Sequence, residues 1–423
     1  MKKIVIIGAG FVGINCIQKL SKYSDQFEIT LLDKSNHHVF QPMLYQAATA
    51  FIPLNSVVAP IRKVLHNKPN VKFKMGEVID ICPSKQVVKT SENVYKYDYL
   101  VVAPGVEYDY LGNDEWKNYT LSLKTAYDAQ KIKSHIIKQF ELAESASSKT
   151  ETLKHLTFII IGAGATGVEI TGALLDMLLT DVFETYTSFT VKDVNIHLVD
   201  CGDKILSAFP KKLSDYAYYS LVKRGVKIHL NETVIDISEH CVQTDKSIYQ
   251  GATIIWSTVL KGKPLGSWME KQMSKSKVNV LPDLTHSEYS NIYLGGDISR
   301  CTDNPLPGLA SVAKQQGKYI ANHIVKRNKS KQYKNFKYRD LGTMAIIQKH
   351  SAIARIFGLN LTGKLGWFIW GGVHITFLVS IRNKFVVSFN WLSYYLFNRI
   401  GSPEILEPDK KENHKVNFDK DKI

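Results

Sequence analysis

Cysteine is scarce and unpaired in this chain. Cys16, Cys82, Cys201, Cys241 and Cys301 are scattered, odd in number and form no C-x-x-C, which argues against a disulfide framework, a cysteine-based metal site or a redox-active dithiol. A reducing, cytoplasmic setting fits that usage. No His spacing suggests a metal site either, so no metal is expected. Acidic residues are also in deficit: 39 Asp and Glu face 54 Lys and Arg, a formal charge of +15 over 423 residues. Such an excess favours an anionic partner, whether nucleic acid, an acidic membrane surface or a phosphorylated ligand. Because the basic residues are dispersed, with only residues 326–337 locally rich in them, no nucleic-acid partner is expected. The opening MKKIVIIGAG runs from a short apolar stretch straight into glycines with no cleavage site, and reads as a first strand rather than a signal peptide.

What is present is glycine in two informative places. With 44% hydrophobic and 22% charged residues the chain reads as globular, long enough for two or three domains. Its central stretch is residues 157–172, TFIIIGAGATGVEITG. A β-branched apolar run ends in Gly162-Ala163-Gly164-Ala165-Thr166-Gly167 and passes into a helix, the context a dinucleotide-binding turn requires. In such a turn Gly162 allows the tight bend, Gly164 lets backbone approach a pyrophosphate, and Gly167 lets helix pack on strand. The helix N-terminus then faces the negative charge. The same grammar opens the chain: a strand over 3–7, the turn Gly8-Ala9-Gly10-Phe11-Val12-Gly13, a helix to about 24, and a strand over 27–32 ending in Asp33. Asp33 comes twenty residues after Gly13, where an acid accepting ribose hydroxyls is expected.

In the second unit the candidate acid is Asp200, after a strand over 194–199 and thirty-three residues beyond Gly167. Residues 178–192 must therefore lengthen the helix and connection. An acid here favours NAD over NADP, because a 2′-phosphate would meet a like charge. The alternative is that Asp200 merely caps the turn in DCGDK. Further strands are expected over 99–103, 226–230, 252–256 and 291–294, and helices over 125–146 and 213–224. SASSKTE at 145–151 is a polar connector suited to a domain crossing. Two dinucleotide units of unequal role, followed by Gly295-Gly296-Asp297, suit a protein that holds one cofactor, flavin, while another, nicotinamide, comes and goes.

Further segments stand out: NHHVFQPMLYQ at 36–46, LVDCGDKILSAFP at 198–210, YRDLGTMA at 338–345, and an aromatic C-terminal region. With the two glycine turns, over about residues 3–402, they resemble the two-dinucleotide-fold flavoprotein oxidoreductases, and within them the type II NADH:quinone oxidoreductases. The resemblance implies an α/β fold of two Rossmann-like domains, for FAD and NAD, plus an amphipathic α-helical C-terminal region anchoring the protein to a membrane. It implies FAD held by Gly8, Gly10, Gly13, Asp33, His38, Pro42, Gly105, Gly296 and Asp297. NADH would lie on Gly162, Gly164, Gly167 and Asp200, and a membrane quinone would accept the electrons without proton pumping. Glu169, Gln315 and Gln316 are the candidate catalytic residues. The expected domains are an FAD-binding part over 1–120, an NADH-binding domain over 121–285, a second FAD-binding part over 286–340, a membrane-associated domain over 341–402 and a charged, disordered tail over 403–423. A peripheral homodimer on an anionic lipid surface, at the cytoplasmic face of the cell membrane, is expected.

Flavin chemistry needs orientation and electrostatics from the protein rather than a nucleophile. Glu169 either relays protons beside the exchange site or is an acid favoured by the helix dipole, an effect of about 0.3 to 1 kcal/mol. Gln315 and Gln316 either line the acceptor pocket or are polar residues early in a helix. His38 either adjoins the flavin or is solvated. The chain departs from the family pattern at Val259, where W-A-A-G-V becomes Trp256-Ser257-Thr258-Val259-Leu260, and at Pro104, Ser311 and Gln348. Val259 puts a branched side chain where backbone approaches a ligand. A soluble-acceptor reductase and a non-catalytic flavin-binding membrane protein are the alternative functions.

The run 365–381 is uncharged for seventeen residues, the lower limit of a spanning helix. Its glycines and His374 weaken that reading, and 385–397 carries the interface-favouring aromatics Trp391, Tyr394 and Tyr395. With Arg355, Lys364, Arg382, Lys384 and Arg399 interspersed, an amphipathic pair lying in the membrane interface is favoured, and a buried core or dimerisation pair is the alternative.

Overall fold

The computed structural model describes residues 1–181, 183–274, 276–301, 305–401 and 403–406. Two five-stranded parallel sheets organise it. The first runs in the order Ile292–Leu294, Tyr99–Val102, Lys2–Ile7, Phe27–Asp33, Val71–Met75. The second repeats the plan as Leu121–Ser122, Thr253–Trp256, Thr157–Ile161, Asn195–Val199, Lys227–His229. Their central strands carry the apolar runs 4–7 and 158–161 because both faces are covered there; every residue of Thr157–Ile161 is buried.

The duplication extends past the sheets. Each unit carries a three-stranded antiparallel meander, Val78–Cys82, Val87–Thr90, Val94–Lys96 in one and Val234–Ser238, Cys241–Thr244, Ile248–Gln250 in the other. Both begin with Val-Ile-Asp, and in both the register shifts between that Val and that Asp, at Val78/Asp80 and Val234/Asp236.

The chain returns to the first unit late, through Ile292–Leu294 and the helix Ala310–Asn328. That helix lies so close to helix Phe11–Leu20 that a Cβ on Gly317 would come within 2.3 Å of the Val12 carbonyl oxygen. Beyond it, an antiparallel sheet of Thr343–Gln348, Ser351–Ile356 and Leu359–Leu361 leads into helices Gly363–Phe377 and Ile381–Phe397. Strand Thr343–Gln348 crosses helix Ala165–Met177 at Gly172, whose missing Cβ would meet the Ile347 carbonyl oxygen at 2.1 Å.

The two C-terminal helices are two-faced. Trp370, His374, Val387, Trp391 and Tyr394 are buried, while Leu365, Phe368, Ile381, Phe385, Phe389, Leu392, Leu396 and Phe397 are all more than half exposed. Among the described residues no helix is long and apolar enough to cross a membrane.

Several local expectations differ from the structure. Residues 145–151 do not cross between domains: Ser148 caps helix Lys149–His155, which follows Ala126–Glu144 beside the second sheet. The extra length before Asp200 goes into 3-10 turns at Phe183–Thr185 and Val191–Asp193, since the preceding helix ends at Met177. The start of the charged tail is laid on the protein, with the Leu406 amide donating to Ser134 Oγ at 3.0 Å and Glu404 at 3.7 Å from Lys133. Its remainder, 407–423, lies outside the described residues.

Candidate active site

Each glycine turn follows its sheet's central strand, and the three glycines of each are separable by what a side chain would meet. A Cβ on Gly8 would strike the Ala103 carbonyl oxygen at 2.1 Å, and one on Gly13 the Gly8 carbonyl oxygen at 2.0 Å. In the second turn Gly162 meets Thr258 Cβ at 2.6 Å and Gly167 meets the Gly162 carbonyl oxygen at 1.8 Å. Gly8 and Gly162 also have φ of +97° and +101°, open only to glycine at low cost. By contrast Gly10 and Gly164 face nothing within 4 Å. The middle glycine of each turn is thus bare, as close approach of a pyrophosphate needs.

The two acids are held alike despite their different spacing. Asp33 Oδ2 accepts from the Ala9 amide at 2.6 Å and Oδ1 from the Ser35 amide at 2.7 Å. Asp200 Oδ2 accepts from Ala163 at 2.6 Å and Oδ1 from Gly202 at 2.7 Å. Asp200 therefore caps its own turn and also reaches the glycine loop.

Beside the first turn lies a cleft with about 610 Å³ of empty space, lined by Gly8, Asp33, Gly105, Glu107 and Lys263 among others. His38 is buried against the Phe11 ring, its Nδ1 2.8 Å from the Ala9 carbonyl oxygen. Burial holds its pKa below the usual histidine value, so the ring is neutral and Nδ1–H donates to that carbonyl. Its Nε2 is buried without a hydrogen-bond partner, a free acceptor aimed at no protein group. Pro42 lies within the 3-10 turn Gln41–Met43 shortly after it. Asp297 follows Gly296, a left-handed glycine with φ +77°, and stands 3.9 Å from Lys124 Nζ. Desolvation lowers the Lys124 ammonium below its ordinary range. No sequence motif marks Lys124, and only folding brings it to Asp297. The bare glycine, the orphaned imidazole nitrogen and the cleft fit FAD.

The model of the pyridine nucleotide-disulphide oxidoreductase family matches residues 2–317, and that of the NDH2 C-terminal domain matches 341–400. A type II NADH:quinone oxidoreductase of Mycobacterium tuberculosis is 30% identical over 422 residues, spanning 96% of this chain and 90% of that one. The chain belongs to the type II NADH:quinone oxidoreductases. A Staphylococcus aureus member is 28% identical over 378 residues, spanning 87% and 93% of the two chains. The solved structure of NDH2 from Plasmodium falciparum in complex with NADH superposes with a TM-score of 0.86 at 19% identity, over 96% of this chain and 100% of that one, which establishes the shared fold.

Within this family member, Glu169 sits in the first turns of helix Ala165–Met177, under strand Thr343–Gln348, with the Ile346 amide 3.4 Å from its Oε1. The residue as a whole is half-buried, its carboxyl lies deep among protein atoms, and desolvation pushes it up to about 8. It is protonated at neutral pH, able to give a proton rather than only to take one.

The two glutamines are occupied by backbone. Gln315 Nε2 donates to the Arg339 carbonyl at 2.9 Å while its Oε1 accepts from the Arg339 amide at 3.0 Å. Gln316 Oε1 accepts from the Gly296 amide at 2.7 Å. In this conformation both amides are bonded to backbone, Gln316 at the Gly296-Asp297 turn. Ser311 Oγ lies 3.0 Å from Tyr338 Oη.

Val259 has φ +44°, an outlier for a β-branched residue. Its carbonyl accepts from the Asp109 amide at 3.0 Å, and Lys261 pairs with Asp109 at 3.3 Å. These contacts hold the strained residue beside Thr258, against which Gly162 packs.

Proposed function

We propose that this protein takes a hydride from NADH and reduces a membrane quinone without pumping protons. What carries the reading is the pairing of two turns of the same geometry, one per sheet, each leaving its middle glycine bare above an acid locked to its loop. The first unit holds FAD through Gly8, Gly10, Gly13, Asp33, His38, Pro42, Gly105, Gly296 and Asp297. FAD, when bound, supplies the two-electron chemistry linking NADH to quinone. Gly162, Gly164 and Gly167 hold the NADH pyrophosphate against the helix N-terminus, and Asp200 takes the ribose. Glu169 holds a proton for the acceptor, and Gln316 fixes the loop carrying Asp297.

The outward apolar side chains of the C-terminal helices seat the protein peripherally in the membrane, at its cytoplasmic face. A basic chain of +15 favours anionic lipid there. A homodimer belongs to this reading through the family resemblance. The test is FAD-loaded protein in quinone-containing vesicles with a lumenal pH dye: NADH is consumed, quinone is reduced, and the dye reports no proton translocation. Quinone left oxidised despite saturating NADH refutes the reading.

A further inference from the structure

Reduction of a quinone by NADH has a proton deficit. NADH gives two electrons and one proton as hydride, so the quinol's second proton comes from water. In the reading above Glu169 holds the acceptor's proton, and strand Thr343–Gln348 lies across its helix. A proton supply to it is therefore required, and the described residues hold a route with the needed chemistry.

A cavity lies between helices Ala165–Met177 and Ile381–Phe397, lined by Tyr45, Gln46, Ala173, Asp176, Lys349 and Tyr394 among others. It offers about 20 Å³ to the centre of a water molecule, sufficient for an ordered water at a polar site, which takes roughly 10–15 Å³. Ala173 and Asp176 are four and seven residues beyond Glu169, on the same helix face, so Asp176 lies about 10 Å along the axis. Asp176 is 6% exposed. Arg224, just past helix Lys211–Val222, stands 2.8 Å from its Oδ1. Lys349, on the turn between the C-terminal strands, faces it as well and donates to the Tyr394 carbonyl at 3.2 Å. Tyr394 and Tyr395 face it from helix Ile381–Phe397, and Tyr45 from helix Leu44–Ala48.

One wall of the cavity is ordered for donation. The Trp391 indole N–H donates to Gln46 Oε1 at 2.9 Å, which fixes the amide, and Gln46 Nε2 donates to Tyr45 Oη at 3.1 Å. Tyr45 thus accepts on its oxygen and keeps its own proton to give, and Ile346, which also lines the cavity, carries the amide that lies 3.4 Å from Glu169 Oε1.

We propose that this cavity is the proton inlet of the quinone reaction, with Asp176 and Lys349 at its outer end and Tyr45 handing on to Glu169. The inference rests on the quinone-reductase reading above. One proton enters from water for each quinone reduced, and no electrons move along the route. Burial raises the Asp176 carboxyl to about 6 even beside Arg224, so it exchanges protons readily near neutrality.

The test uses the full-length, FAD-loaded protein and two acceptors, a quinone and ferricyanide, which takes electrons without protons. The variants are Asp176→Asn, the pair Asp176→Asn with Arg224→Met to avoid a buried unpaired cation, and the near-isosteric Tyr45→Phe. Quinone turnover is expected to fall about tenfold or more, with a larger solvent deuterium isotope effect, while ferricyanide turnover stays at wild-type rate. Unchanged quinone turnover in Tyr45→Phe and the double variant overturns the inlet, as does an equal fall with both acceptors. A wild-type protein that reduces ferricyanide but no quinone refutes the functional reading instead.

Discussion

Replacing Val259 by glycine tests whether its backbone is strained, and the structure sets the size of the effect. At φ +44° the left-handed conformation costs a non-glycine residue about 1–2 kcal/mol. Against that relief stand about 0.4–1 kcal/mol of added unfolded-state entropy for glycine and the lost side-chain burial. Val259 is 39% exposed, so some three-fifths of a valine's burial energy, roughly 1 kcal/mol at the low end of the usual range, is lost. The balance lies near zero. Val259→Ala loses nearly the same burial and keeps most of the strain, so it should be the less stable variant. That inverts the usual order, in which glycine is worse than alanine by about 0.5–1 kcal/mol within regular structure. Thermal denaturation of the FAD-loaded variants decides it, at roughly 2–4 °C per kcal/mol for domains of this size. In parallel, KM for NADH should fall in Val259→Gly, because bare backbone replaces a branched side chain beside the nucleotide loop. An alanine variant more stable than the glycine one would refute the strain argument, and a raised KM would refute the placement of Val259.

The middle and outer glycines should separate cleanly. Gly164→Ala should fold normally and raise KM for NADH about tenfold, whereas Gly167→Ala, with a carbonyl oxygen 1.8 Å from its Cβ, should lose several kcal/mol of stability; titration of NADH and thermal melts check both. Glu169 is raised from 4.5 to about 8, so between those values the folded chain binds more protons than the unfolded one and stability falls as pH rises. Glu169→Gln should flatten melting temperature against pH between about 4.5 and 8 and slow quinone reduction more than ferricyanide reduction. Changing Phe385, Phe389 and Leu396 to serine should release the protein from vesicles in a flotation assay, since each buried apolar side chain is worth about 1.5–3 kcal/mol. Ferricyanide activity should persist in the released fraction.

The parts of this fold written in local sequence were legible there. Strand, glycine turn, helix and terminal acid occur contiguously, so Gly8 to Asp33 and Gly162 to Asp200 could be placed before any contact was known. The two meanders and the C-terminal sheet were not, because short strands such as Val94–Lys96 and Leu359–Leu361 carry only three residues each, too few for a period to register. The lengthened connection before Asp200 was legible as length but not as form, since 3-10 turns leave no apolar repeat. Site residues joined only by tertiary packing were least visible. Lys124 meets Asp297 across 173 positions of chain, and Gln46 meets Trp391 across 345. Gln315 shows the converse: its motif was plain, but its amide is taken up by the Arg339 backbone, which no local pattern announces.

The central claim is that electrons pass from NADH through the flavin to a quinone. Anaerobic stopped-flow absorbance of the FAD-loaded protein addresses it directly, mixing first with one equivalent of NADH and then with a quinone. The account predicts that NADH bleaches the oxidised flavin band and that quinone restores it in full, with one quinol formed per NADH. A flavin that stays oxidised in excess NADH, or one that bleaches and is not reoxidised by quinone, would contradict it.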